Sequence, residues 1–138
     1  MTGEIFLDSG IFIAFLIRRD HQHAAAELLF ADPPRHWCTS VLVIAETYSW
    51  FLYRYGEESA RGFRSVLEEF STLELLGAGS AHHEAVAKKL DILRGVKLTY
   101  VDASSLVWIA ERKIRTVWGT DNHLAVEGSQ VIPGPPDV

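Results

Sequence analysis

The chain has a single cysteine, Cys38, among its 138 residues. That excludes an internal disulfide and any multi-cysteine zinc site. Long apolar runs are also missing. The longest, Ile11 to Ile17, has seven residues, against the ~20 that a bilayer-spanning helix needs. The first residues, with Thr2, Gly3 and Glu4, lack the basic stretch that opens a secretory signal. Basic excess is absent too: 13 Lys and Arg face 18 Asp and Glu, a net charge of −5. Taken alone, that balance opposes a nucleic-acid partner, because phosphate binding favours a basic face. There is no repeat, linker or low-complexity segment. What remains is 48% apolar and 22% charged, the composition of a globular chain. The expectation is one soluble, cytoplasmic domain over residues 1–132, with no membrane contact. A Pro-rich tail over residues 133–138 should be extended and loosely held.

Short apolar segments alternate with helical ones. Strands are predicted at Glu4–Asp8, His36–Thr39, Leu73–Leu76, Ile114–Trp118 and Gln130–Ile132. Helices are predicted over Ile11–Ile17, His23–Phe30, Ser40–Tyr55, Glu57–Phe70 and Ala81–Arg94. One more runs from after Tyr100-Val101-Asp102 to about Arg112, and a short one starts near Asp121. Such alternation implies parallel β-α units, hence a three-layer α/β/α fold around a parallel sheet of about five strands. In such folds ligands bind beyond the carboxyl ends of the strands.

Acidic residues gather at those ends. Asp8 ends the first strand, Asp121 follows the fourth after Gly119-Thr120, and Asp102 is expected just before a helix. Each has the alternative role of a helix N-cap, and capping is compatible with metal binding. Glu46 is harder to explain structurally. It lies six residues past Ser40, too deep for a capping box, and shares its helical face with Leu42, Val43, Ser49, Trp50 and Tyr53. A carboxylate on such a face needs compensation, either by a basic side chain or by a bound cation. Several acids at one edge would repel each other, and a divalent cation removes that conflict. Carboxylate and water oxygens suit Mg²⁺ or Mn²⁺. Such a site binds phosphate oxygens and activates a bound water. Ser40 and Thr120 are candidate supporting hydroxyls, with capping or turn formation as their alternatives. Two divalent ions on the four acids would bring the net charge from −5 to −1.

Four motifs in order resemble the PIN domain in its toxin branch, the VapC-like ribonucleases. They are Glu4-Ile5-Phe6-Leu7-Asp8-Ser9, Thr39-Ser40 with Glu46, Tyr100-Val101-Asp102-Ala103-Ser104, and Gly119-Thr120-Asp121-Asn122-His123. The likeness runs from residue 4 to about 132. It implies a five-stranded parallel sheet between helices and an Mg²⁺- or Mn²⁺-dependent endoribonuclease acting on RNA. It further implies a toxin restrained by a small antitoxin protein, and a homodimer. By position, Asp8 and Asp102 match the principal metal ligands, Glu46 the acid that completes or positions the site, and Asp121 the fourth acid. Many members carry a hydroxyl two residues before that fourth acid, where this chain has Gly119. Leu124 stands where an aromatic is common.

Other features have competing readings. Trp50, Phe51, Tyr53, Tyr55 and Phe63 could stack bases, but a helix apolar all round is more readily read as buried in a dimer or antitoxin contact. Basic clusters at Arg18-Arg19, at Lys88-Lys89 with Arg94 and Lys97, and at Arg112-Lys113-Arg115 read as solvated faces. At least one should flank the site if a polynucleotide binds there. His21/His23 and His82/His83 lack one-face zinc spacing, and His123 adjoins the acids. The alternative functions are a non-catalytic RNA- or protein-binding module and a housekeeping RNA-processing nuclease. A phosphoacceptor receiver domain is disfavoured, since Asp8 has no adjacent acid and Trp118-Gly119-Thr120 offers no lysine. An aspartyl phosphatase is disfavoured because Gly10 stands where a second Asp is required.

Overall fold

The computed structural model describes residues 3–136. Met1 and Thr2, and the last two residues of the predicted tail, lie outside the described residues. The chain runs β1 (Ile5–Leu7), α1 (Ser9–Leu16), α2 (His23–Ala31), β2 (Trp37–Ser40), α3 (Val41–Tyr55), α4 (Glu57–Glu69), β3 (Glu74–Leu76), α5 (Ser80–Ile92), α6 (Tyr100–Glu111), β4 (Thr116–Gly119) and β5 (Gln130–Pro133). A single turn of 3₁₀ helix, His123–Ala125, replaces the short helix expected after Asp121.

All five strands are parallel and lie in the order β3-β2-β1-β4-β5. The fold is the three-layer α/β/α arrangement that the alternating pattern implies. Connections from β1 through β2 to β3 move outward on one side. The chain then returns to place β4 on the other flank of β1. The strand order therefore reverses at the β1–β4 seam, where open α/β sheets form their ligand crevice. Leu7 is paired in register with Trp118, so the residues that follow them, Asp8 and Gly119, leave the sheet side by side.

An aromatic core fixes this seam from below. Phe30 meets Trp118 edge-on at 5.2 Å and stacks on Phe70 at 5.1 Å, while Trp37 meets Trp118 at 5.9 Å. Phe12, Phe51 and Phe63 extend the same core under α1, α3 and α4. Offset and edge-on ring pairs add about 0.5–1.5 kcal/mol each beyond their buried area. The apolar run from Ile11 is thus mostly core, with Ile11, Phe12 and Ala14 buried.

Two boundaries differ from expectation for clear reasons. Asp102 lies inside α6, not before it. Thr99 is the N-cap, accepting a hydrogen bond from the Asp102 N–H at 3.0 Å, and the Asp102 carboxylate accepts one back from the Thr99 N–H at 3.3 Å. This reciprocal box starts the helix two residues before Asp102. At the other end of the chain, β5 runs through Pro133, the Gly134 N–H donates to the Gly119 carbonyl, and Gln22 Nε2 donates to the Gly134 carbonyl at 2.7 Å. The start of the predicted tail is part of the sheet edge.

Candidate active site

The carboxyl ends of β1 and β4, the N-terminal turns of α1 and α6, and one stripe of α3 enclose a cavity of about 690 Å³. Asp8, Glu46, Asp102, Thr120 and Asp121 all line it. They come from four separate stretches of chain. Asp8 reaches it because β1 stops there. Its backbone N–H donates to the Trp118 carbonyl, the last tie to the sheet, before α1 begins at Ser9. Glu46 reaches it because the cavity face of α3 carries Glu46, Ser49, Trp50 and Tyr53, a helical stripe of i, i+3, i+4 and i+7.

Depth separates the acids. Asp8 is 7% exposed and the Asp102 side chain 12%, whereas Asp121 at the rim is 49% exposed. Burial pushes the Asp8 carboxyl up to about 7; the Ser9 backbone N–H counters part of this, and Asp121, Asp102 and Glu46 push it higher. Glu46 is also raised, first by burial and then by Asp102 and Asp121, with the Ser9 hydroxyl acting in the opposite direction. Asp8 and Glu46 thus both feel the neighbouring acids. No lysine or arginine among the described residues forms an ion pair with any of the four. His123 alone approaches, with Nδ1 3.4 Å from Asp121 and 3.9 Å from Asp102. The Asp121 carboxylate also accepts the His123 backbone N–H at 2.9 Å.

The two predicted hydroxyls part company. Ser40 is 1% exposed and its Oγ accepts the Val43 N–H, capping α3. It is absent from the cavity wall, and Ser9 takes the place beside Glu46. Thr120 does line the cavity, its Oγ1 filling the space above Gly10 so closely that a Cβ on Gly10 would overlap it. Gly119 is tight as well. A Cβ there would sit 3.2 Å from Val131 Cγ1 and 3.6 Å from the Asp8 Cβ. The missing side chain lets β4 pass against Asp8.

Among the described residues, no three His, Cys, Asp or Glu side chains close into a ready-made metal cluster. The donor set is nevertheless all hard oxygen and crowded with like charge, and among the described residues no lysine or arginine pairs with it, His123 being the one basic side chain against it. That fits a hydrated ion such as Mg²⁺, which keeps several waters and needs only one or two carboxylates directly. It does not fit zinc, which favours a closed set of nitrogen and sulfur ligands.

Sequence reasoning did not find Arg54 or the roles of Ser9 and Thr99, all of which line the cavity. None of the three predicted basic clusters lines it. Lys89 is engaged by Glu127 and Arg112 by Glu4 and Glu74. The signal for Arg54 was its place in the stripe that begins at Glu46, eight residues earlier.

A family model described as PIN domain matches residues 5–126. The chain belongs to the PIN-domain family. Among solved structures, this PIN domain is similar to VapC20 of Mycobacterium tuberculosis, a sarcin–ricin-loop-cleaving toxin. The TM-score is 0.82 at 22% identity, over 91% of this chain and 95% of that one. DNA-bound VapBC from Salmonella typhimurium gives a TM-score of 0.61 at 16% identity, over 94% and 96% of the two chains. A toxin–antitoxin complex from Klebsiella pneumoniae gives 0.57 at 18% identity, over 93% and 95%. At these identities the likeness establishes the fold. No curated protein matches the chain. No helix among the described residues is long and apolar enough to cross a membrane.

Proposed function

We propose that this PIN domain is a divalent-metal-dependent endoribonuclease hydrolysing RNA phosphodiester bonds, and the toxin of a toxin–antitoxin pair. One observation carries the reading. Four carboxylates from separate stretches of chain line one cavity at the β1–β4 switch point, and among the described residues no lysine or arginine is paired to them. A fold gains nothing from such an arrangement by itself, since burying mutually repelling acids costs stability.

In this reading Asp8 and Asp102, whose side chains are both largely buried, hold the ion, with Glu46 and Asp121 completing or positioning the site. Mg²⁺ or Mn²⁺, when bound, neutralises phosphate oxygens and lowers the pKa of a water. The protein's own groups do the remaining work. The capping box fixes Asp102 on the first turn of α6. The Ser9 hydroxyl, in the cavity wall with Glu46, favours the ionised form of its carboxyl. Thr120 Oγ1, held over Gly10, presents a hydroxyl beside the acids. His123 lies against Asp121 and Asp102 at the rim and helps shape the phosphate entrance. An antitoxin partner is supported by the neighbours described as toxin–antitoxin assemblies. Homodimerisation and a cytoplasmic location complete the proposal.

The test is RNA cleavage by purified protein with Mg²⁺, with Mn²⁺ and with EDTA, wild type and Asp8→Asn in parallel. Cleavage by wild type with either metal, lost in EDTA and in Asp8→Asn, is expected. Equal cleavage by both proteins in all three conditions would overturn the assignment. RNA binding without cleavage, unchanged by EDTA, would point instead to a non-catalytic binding module.

A further inference from the structure

Three of the four acids sit on regular elements: Asp8 at the junction of β1 and α1, Glu46 within α3 and Asp102 in the capping box of α6. Asp121 does not. It lies in residues 120–129, the crossover from β4 to β5, whose regular structure is the single turn His123–Ala125. Parallel strands are usually joined through a full helix, so this crossover has little stiffness of its own. Local bonds shape it. The His123 N–H donates to the Asp121 carboxylate, the Ala125 N–H to the Asn122 carbonyl and the Gly128 N–H to the Ala125 carbonyl. Leu124, 1% exposed, seats the turn in the core. An apolar contact is non-directional, so that seat alone leaves the turn free to rotate about it. Lys89 of α5 reaches across to the turn. Its Nζ lies 3.0 and 2.9 Å from the two carboxylate oxygens of Glu127.

Resting on the nuclease reading, we propose that the Lys89–Glu127 pair is a strut that positions Asp121 against Asp102. α5 is docked firmly on α6. Val86 packs with Ala103 and Val107, His82 lies flat on Trp108 with ring centres 4.4 Å apart, and His82 Nε2 shares a hydrogen bond of 2.7 Å with the Ser104 hydroxyl. α6 also carries Asp102. Lys89 therefore stands in the same frame as Asp102, and Glu127 ties the Asp121 turn to that frame. The chain turns back directly after Glu127, at Gly128, whose φ of +106° favours glycine. His123, 3.4 Å from Asp121 and 3.9 Å from Asp102, sits where the turn meets α6. Two features separate this pair from Arg61–Glu57 and Arg64–Glu68, which are exposed, lie within one helix and are 3.6 and 4.0 Å apart. The Lys89 side chain is 17% exposed, which lessens screening. The pair also joins segments 38 residues apart, whereas exposed pairs within a helix count for little. Neither Lys89 nor Glu127 lines the acidic cavity, so both are positioning residues that act through Asp121.

The first readout needs neither metal nor RNA. In hydrogen exchange of the metal-free protein, residues 120–129 should exchange about fivefold faster in Lys89→Met and in Glu127→Gln, with α3 unchanged. Lys89→Glu combined with Glu127→Lys should restore protection. Lys88→Met, one residue along α5, should change nothing. The second readout is Mn²⁺ affinity, from the paramagnetic resonance signal of the free ion. Both single variants should bind Mn²⁺ about tenfold more weakly, the low end for groups that orient ligands. In an Asp121→Asn background neither should weaken it further. The third is RNA cleavage at saturating Mn²⁺, where kcat should fall in both variants with KM for RNA unchanged. The sign is diagnostic. Charges acting only through their field on a polyanion would make loss of the lysine and loss of the glutamate shift cleavage in opposite directions, whereas a strut gives the same loss from both. Far-UV circular dichroism checks folding, and Glu127→Gln, on the turn, carries the test should Lys89→Met disturb α5. Unchanged exchange in both variants, opposite changes in cleavage, or an equal further loss of Mn²⁺ affinity in the Asp121→Asn background would overturn the strut and leave the nuclease reading standing. Wild type that neither binds Mn²⁺ nor cuts RNA would overturn both.

Discussion

Glu4 and Asp8 flank the three residues of β1, one at each end, and their surroundings are opposite. Glu4 receives two hydrogen bonds from Arg112, at 3.1 and 2.8 Å, and the same guanidinium reaches Glu74 at 2.7 Å. The amino ends of the strands thus carry a compensated ionic cluster. Its geometry is the two-pronged Arg–carboxylate contact that makes charge pairs strong, and Glu4 raises the Arg112 pKa by hydrogen bonding. Asp8 is more deeply buried than Glu4, has no such partner among the described residues and shares its cavity with three more acids. One strand therefore carries an acid that stabilises the fold and an acid that burdens it. An acid kept without compensation is the mark of a site with another use.

The sharpest way to break this contrast is to remove charge at each end in turn and measure cleavage. Asp8→Asn and Asp102→Asn should lower RNA cleavage by on the order of 10²–10³-fold or more, with unchanged far-UV circular dichroism. Glu4→Gln should leave the cleavage rate of the folded protein unchanged. A Glu4→Gln enzyme as inactive as Asp8→Asn would dissolve the distinction.

Stability should respond in the reverse sense. The folded-state pKa of Asp8, about 7, lies above its ordinary value of 3.8, so the folded protein binds the proton more tightly than the unfolded one. Below about pH 4 both states are protonated and nothing is lost. Between about pH 4 and 7 the metal-free protein loses stability as the unfolded state ionises first, and above about 7 the loss is complete. Its size is on the order of 2–4 kcal/mol. Asp8→Asn should therefore be more stable than wild type at pH 8 in EDTA by a similar amount in urea titration, and no more stable at pH 4. Added Mg²⁺ should narrow the gap at pH 8, because an ion bound only by the folded protein stabilises it. A variant less stable than wild type at pH 8 would contradict the account of Asp8 as an uncompensated charge.

At the other end, Arg112→Ala should destabilise the protein by about 1–3 kcal/mol. The half-buried Glu4 and the more exposed Glu74 lose a shared partner, and charged hydrogen bonds of this kind fall in that range. Thermal unfolding checks the loss. Metal-dependent cleavage below the melting range should persist, which separates this pair from the acids of the cavity.

The same contrast explains what could be read from the chain alone. The strand pattern reveals the fold, because buried parallel strands are short apolar runs and each helix is closed by a visible break. Asp8 and Glu46 stand out because one ends a strand and the other interrupts an apolar helical face. The start of α6 was misplaced by three residues because the Thr99–Asp102 box was not taken as a helix start, although that spacing announces one. Ser40 and Ser9 were not separable. Both stand where helices start, and only the packed structure shows that one hydroxyl is occupied by capping α3 while the other lies in the cavity wall with Glu46. Arg54 was hidden for a related reason. Which side of α3 faces the acids depends on how α1, α4 and α6 pack around it, so the helical spacing from Glu46 to Arg54 becomes informative only once that packing is known.

The smallest effect sharpens the comparison on the cavity side. Gly10, the second residue of α1, lies against Thr120, and a methyl group at residue 10 would overlap Thr120 Oγ1, with Thr120 Cβ 3.3 Å away. Gly10→Ala helps the helix by intrinsic propensity, about 1 kcal/mol over glycine, yet must push the Thr120 side chain aside. If Thr120 is locked in place by the cavity, the overlap outweighs the propensity gain and Gly10→Ala destabilises by about 1 kcal/mol, as overpacking does. Gly10→Ala with Thr120→Ala removes the obstructing oxygen, so the double variant should recover stability beyond the sum of the single changes. A double-mutant cycle in urea reads this coupling. Strict additivity would mean that Thr120 turns away freely, and its hydroxyl would then lose its claim to a fixed place beside the four acids.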